Sequence, residues 1–237
     1  MTVTVSALTS AYDNTDSSSY ATSSISPAGG SLLLVAVMTS AAAAAAAPTV
    51  SLVAGLSLTW AQVTDRAFSG TGSAERRIAL WSAQCDASPG SGALTITMGD
   101  AGSGTTSLGT GWCVDQVAGH STVTPIVQSP ANNGAAATSG TATLSAAADA
   151  ANRPYAAVMH RANEGTTPRT SWTELADVFG GTPSIGLETQ WRSDTFETTA
   201  SATWVTSQPW AVIAAELANA SALSPPPRPY LLPNLGR

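Results

Sequence analysis

The stretch Ser31–Thr39, SLLLVAVMT, decides how the rest of this chain is read. It is the longest uninterrupted run of large apolar residues and lacks the polar alternation of a strand with one wet face. A strand written this way is covered on both faces. Pro27, Gly29 and Gly30 mark a turn before it, and an alanine run ending at Pro48 follows. The segment therefore has the length of a strand and falls short of the roughly 20 residues of a bilayer-spanning helix. The segment most like it is Trp210–Leu217, WAVIAAEL, near the other end of the chain. The expectation is that the two lie in one sheet, so that early and late strands close a single antiparallel sandwich over residues 1–218.

Composition favours the same class. A chain of 237 residues suits one large β domain. Ser, Thr, Gly and Ala dominate, and charged residues make up only 10%, against roughly 25% in an average soluble domain. Such a surface presents hydroxyls and small side chains rather than ion pairs. The nine basic residues are all Arg, and the net charge of -6 is spread thinly. Nucleic-acid binding independent of base sequence needs a basic stripe, which is missing, so no nucleic-acid partner is expected. The first residues, MTVTVSALTS, lack a charged segment leading into an apolar core, so neither a secretory signal nor a membrane span is expected and synthesis is assigned to the cytoplasm. Cys85 and Cys113 lie on neighbouring apolar segments; reduced thiols are the expectation, with pairing left open.

Taken in order, Thr2–Leu8 alternates like a half-buried edge strand, Asp13–Ser19 is a turn-rich loop, and Tyr20–Ser26 reads as a short strand. Ala41–Ala47 is too short for an unsupported helix and reads as a connection. Strands follow at Thr49–Ala54, Leu58–Phe68, Arg76–Ala83, Leu94–Met98 and Trp112–Ala118, the last with Asp115 and Gln116 in an apolar run, where buried polar groups need partners. Ser129–Gly140 reads as a low-complexity loop, followed by strands at Thr141–Leu144 and Tyr155–His160. Trp172–Val178 reads equally as a helix capped by Ser171 with Glu174, or as a strand. Ile185–Arg192 and Thr198–Val205 read as a hairpin with Ser193, Asp194 and Thr195 at its tip, and Trp210–Leu217 closes the domain.

Residues 219–237 differ in character. The segment SALSPPPRPYLLPNLGR has five prolines in its final fourteen residues, which excludes helix and inner strand and favours an extended arm. Pro225, Pro226, Pro227, Arg228, Tyr230, Leu231, Leu232 and Leu235 are its candidate partner-binding residues.

Catalytic chemistry finds little to work with. His120 and His160 are the only histidines, and neither stands near a nucleophile elbow. Two Cys and two His, widely spaced, do not make a zinc signature. Asp13–Ser19 lacks the central glycine and later glutamate of a calcium loop, and no phosphate loop is present. No catalytic residue, metal or cofactor is therefore expected. Glu188 and Glu197 flank the expected hairpin and are the one pair to consider for glycoside hydrolysis. Trp191 and Trp204 are the candidates for stacking on a glycan, although most of the seven tryptophans are expected in the core.

The order of short motifs carries a resemblance. Tyr20–Pro27 (YATSSISP), Leu32–Val37 (LLLVAV), Leu58–Trp60 (LTW), Arg77–Trp81 (RIALW), Leu94–Thr97 (LTIT) and Ile126–Ser129 (IVQS) together resemble a family of tailed-phage virion proteins with jelly-roll-like β-sandwiches. These are described as capsid decoration, minor capsid or minor tail proteins. The resemblance covers most of residues 1–218, offers no catalytic residues and leaves out the proline-rich arm. It implies a structural protein of the bacteriophage virion. The expected role is decoration of the capsid exterior as a homotrimer, with the major capsid protein or other virion proteins as partners. The alternative is a minor tail or fibre protein with a carbohydrate-binding role.

Overall fold

Leu32–Ser40 forms a nine-residue strand in which every residue is buried. It earns that burial by its position in a computed structural model that describes residues 2–42, 45–68 and 75–220. The strand, β3, lies at the centre of a five-stranded antiparallel sheet with β1 (Thr4–Asp13), β5 (Trp60–Phe68), β6 (Arg76–Gln84) and β8 (Thr110–Ala118), in the order β1-β8-β3-β6-β5. A small sheet made of β2 (Ser19–Ala21), β4 (Thr49–Ala54) and β7 (Thr95–Gly99) covers one face of this central sheet. A six-stranded sheet covers the other. Its strands are β9 (Ala131–Thr143), β10 (Arg153–His160), β11 (Thr167–Pro168), β12 (Thr173–Gly181), β13 (Ser184–Trp191) and β14 (Thr199–Leu217). The protein is thus an all-β, antiparallel sandwich with an extra sheet on one side.

Side chains alternate along a strand, and here both sets find apolar partners. Leu32, Leu34, Ala36 and Met38 of β3 meet Ala211, Ile213, Ala215 and Leu217 of β14 across the main core, with Ile78 and Leu80 of β6 beside them. Leu33, Val35 and Val37 point the other way, against Val50, Val53, Ile96 and Met98 of the small sheet and Leu94 just before β7. The two segments that most resemble each other in sequence are therefore not in one sheet, as expected, but face each other from two. Each is interior to its own sheet and needs cover on both faces, so neither can supply the other's edge.

The outer face of the six-stranded sheet is covered by its own longest strand. β14 has 19 residues, and its register against β9 shifts between Thr203 and Trp210. Shifts of this kind bend a strand. Beyond the bend, Ala200, Ala202 and Trp204 pack on Ala156, Val158, Val212 and Ala214 of the sheet below. The Gln190 side chain confirms the overlap: its Nε2 donates to Ser201 O at 3.0 Å, although β13 is separated from β14 by β10 within the sheet. Ile185–Arg192 and Thr198–Val205 accordingly do not form the expected hairpin. β13 pairs with β12 on one side and β10 on the other.

Two further expectations change. Ser129–Gly140 is not a loop, because β9 runs through it as a 13-residue strand. Its small residues match one large neighbour. A Cβ on Gly134 would stand 2.6 Å from the Trp210 ring, and one on Gly140 2.7 Å from it, so glycine makes room there for the indole. Residues 172–178 resolve to strand, not helix, since Ser171 has a φ of 71° and β12 pairs with β13 from Thr173 onward. An N-cap needs an extended backbone instead. The expected strand at Tyr20–Ser26 shrinks to β2 and an isolated bridge at Ile25. The candidate arm residues from Pro225 to Leu235 lie outside the described residues.

The Trp210 fit gives a test. Gly140→Ala should destabilise the protein by about 1–3 kcal/mol, the usual cost of overpacking. Part of that loss should return in a Trp210→Leu background, and a double-mutant cycle by denaturant unfolding measures the coupling.

Candidate functional site

Both cysteines, both histidines and four of the fifteen carboxylates, Glu75, Asp115, Glu188 and Glu216, are inside. Asp115, on β8, is fully buried in the main core because strand alternation puts it on the same face as Cys113 and Val117. Tyr155, on the facing sheet, donates its hydroxyl to Asp115 Oδ2 at 2.8 Å, while Oδ1 has no hydrogen-bond partner among the described residues. Burial pushes the Asp115 carboxyl up to about 7, with the Tyr155 hydroxyl pulling the other way. Gln116 points out of the opposite face, taking a bond from Ala28 N and giving one to Ser6 Oγ. Cys85 and Cys113 are both free and buried, on opposite faces of the central sheet.

A second polar group lies on the outer face of the six-stranded sheet, beneath the bent half of β14. His160 Nδ1 accepts from Ala162 N at 3.2 Å and Nε2 meets Thr166 Oγ1 at 3.0 Å, which places the proton on Nε2. The imidazole stacks on Trp204 with centroids 4.8 Å apart, and burial lowers it to about 4. Thr166 N donates to Asp177 Oδ2 at 3.0 Å. Asp177 is the direct cross-strand partner of Glu188. Glu188 is wholly buried, and neither of its carboxyl oxygens has a hydrogen-bond partner among the described residues. Burial first, then the neighbouring Asp177 and Glu174, raise it to about 9.

The sequence-derived candidates fall into place accordingly. Glu188 and Glu197 do not act as a pair. Glu197 is held by Arg169 and Arg192 and accepts from Trp172 Nε1 at 3.1 Å, whereas the acids acting on Glu188 are Asp177 and Glu174. Trp191 and Trp204 do not present stacking faces to a glycan: Trp191 is buried in the main core, and Trp204 is sandwiched on His160 with its Nε1 on Ala137 O. Strand periodicity enclosed them, because both lie on covered faces. Asp13 caps its own turn through Thr15. Among the described residues, no group of three or more His, Cys, Asp or Glu is placed to hold a metal ion.

What is open is an end of the sandwich. A cleft of about 400 Å³ is lined chiefly by Gly29, Gly30, Ala118, Gly119 and Ala220, with His120 in its wall. The His120 ring is pinned between Val117 O at 3.1 Å and Gln84 Oε1 at 2.7 Å, so it is a structural strut rather than a free base. Val123 and Val127 are exposed in the same region. The sequence signals for the buried groups were present but faint: Asp115 in WCVDQVA, and Glu188 and Gln190 alternating with Leu187, Thr189 and Trp191 in SIGLETQW. Nothing local in the sequence says that Asp177 and Thr166 join them. No protein-family model matches the chain, and no significant match is found among curated proteins or solved structures.

The Tyr155–Asp115 pair has a pH signature. The folded-state pKa of Asp115 lies above the ordinary value of about 3.9, so its burial carries no ionisation cost below pH about 4 and a progressively larger one up to about 7. Tyr155→Phe should therefore cost about 1 kcal/mol at pH 4, where a neutral hydrogen bond is lost, and about 2–3 kcal/mol at pH 8, where the lost bond is to a charge. Thermal unfolding at the two pH values measures the difference.

Proposed function

We propose that this chain is a non-enzymatic structural component of a bacteriophage virion, a capsid decoration protein bound to the particle exterior as a homotrimer. The observation that carries the reading is where the reactive groups sit. Asp115, His160 and Glu188 are all completely buried in closed layers, while the open end cleft is lined by glycine, alanine and hydroxyl side chains around a pinned histidine. A body of this kind is equipped to hold a shape and offer surface. The motif resemblance to tailed-phage virion proteins points the same way, and so does the low charge, which leaves apolar area and sheet edges to carry binding.

In this reading the partners are the major capsid protein and copies of the chain itself. The contacts are supplied by Tyr230, Leu231, Leu232 and Leu235 with Pro225, Pro226, Pro227 and Arg228. The carbohydrate-binding tail or fibre reading would need aromatic faces other than Trp191 and Trp204, which are buried.

The test is incorporation. A chain lacking residues 221–237 should melt like the full chain but be undetectable in purified particles by quantitative mass spectrometry. Wild-type occupancy of the truncated chain overturns the role of the arm, and absence of the full chain from particles overturns the reading as a whole.

A further inference from the structure

We propose that Asp177 and Glu188 hold one proton between them at neutral pH, and that this proton fastens the cover, the segment from Glu164 to Pro168 with the bent half of β14, onto the six-stranded sheet. The inference is independent of the virion reading and rests on a mismatch of donors and acceptors. Glu188 Oε1 and Oε2, Asp177 Oδ1 and Gln190 Oε1 are four buried acceptors without a hydrogen-bond partner among the described residues. They belong to adjacent residues of one sheet face, since Asp177 opposes Glu188 directly and Gln190 is two residues along. Side chains of directly opposed residues are only about 5 Å apart at Cβ.

Among the described residues, the charges that act on Glu188 are those of acids, Asp177 and Glu174. On β12 the facing groups are Asp177 and Glu174; on β10 Val158 opposes Glu188, and the titratable His160 stands opposite Gly186, two residues along, its tautomer set by Ala162 and Thr166. From the cover come Thr166 and Glu164. The Arg169 and Arg192 guanidiniums are turned to Glu197, and Arg161 to Glu75. Two ionised carboxylates placed so closely in an apolar layer repel, whereas one proton converts an acceptor into a donor and pairs the two groups. Asp177 is also the group that receives Thr166 N from the cover, and Gln190 the one that reaches Ser201. The shared proton thus sits between two of the polar attachments of the cover, the His160–Thr166 contact being a third.

The sign follows from the shifts. Glu188 and Asp177 are raised to about 9 and about 6. Opening the cover to water returns both to ordinary values and releases the proton. Between pH about 6.5 and about 9 the opening constant should therefore rise about tenfold per pH unit. Below that window His160, lowered to about 4, opposes the trend.

Hydrogen exchange by mass spectrometry on the full chain, corrected for the intrinsic pH dependence of exchange, reads this directly in peptides covering 164–168 and 199–206. The expected result is an opening constant about 100-fold larger at pH 8.5 than at pH 6.5 in the native chain, and no such rise in Glu188→Gln. An equal rise in Glu188→Gln, or no rise in the native chain, overturns the proposal. So does closure by calcium at fixed pH that Glu188→Gln abolishes, because the acceptors would then hold a metal ion. Should Glu188→Gln fail to fold, Asp177→Asn should shift the transition to lower pH, and infrared spectra of the native chain at pH 8 should show a protonated carboxyl band. Absence of that band overturns the proposal.

Discussion

Everything in this structure depends on covering β3 twice. A strand with Leu33, Val35 and Val37 on one side and Leu32, Leu34, Ala36 and Met38 on the other cannot leave either side in water. Each large side chain left exposed would forgo about 1.5–3 kcal/mol of burial. The small sheet of β2, β4 and β7 answers one face and the six-stranded sheet answers the other. The second answer creates the same problem one layer out, because β10 and β14 are themselves apolar on both sides. Bending β14 back over its own sheet closes the stack.

That bend determines what the interior can contain. Ala200 and Ala202 allow the covering strand to lie close, and Trp204 and Trp210 fill the space at the bend, the latter in the gap left by Gly134 and Gly140. The layer is thin and mostly made of small residues, so polar side chains from the sheet below reach into it. His160, Asp177, Glu188 and Gln190 are the result. Covered polar groups that bond across layers tie the cover down, and those that lack partners make the same place sensitive to protons. The Tyr155–Asp115 pair repeats the arrangement in the main core, where one hydroxyl answers one carboxyl.

The consequence for function is a division between inside and outside. Titratable groups with displaced affinities for protons often mark active sites, and here several are displaced. Asp115, His160 and Glu188 are displaced first by burial, however, and none of them lines the cleft at the end of the sandwich. The surface carries small hydroxylated side chains, exposed Val123 and Val127 at the end where the described chain stops, and few charges. The proposed role in particle assembly rests on that contrast.

The sequence by itself determined the class of fold, the doubly covered character of Leu32–Ser40 and the position of most strands. These follow from local alternation, from turn residues and from the length of apolar runs. It also said that Asp115 and Gln116 in WCVDQVA would need partners if buried, and Asp115, which is buried, takes the Tyr155 hydroxyl. Tertiary structure alone decided which strands share a sheet, that Ser129–Gly140 is strand rather than loop, and that Glu188 belongs with Asp177 rather than Glu197. The physical reason is that these outcomes depend on partners far away in the chain. Gly134 and Gly140 look like loop residues until Trp210 is placed over them, and a glutamate on an alternating strand looks solvated until β14 bends across it.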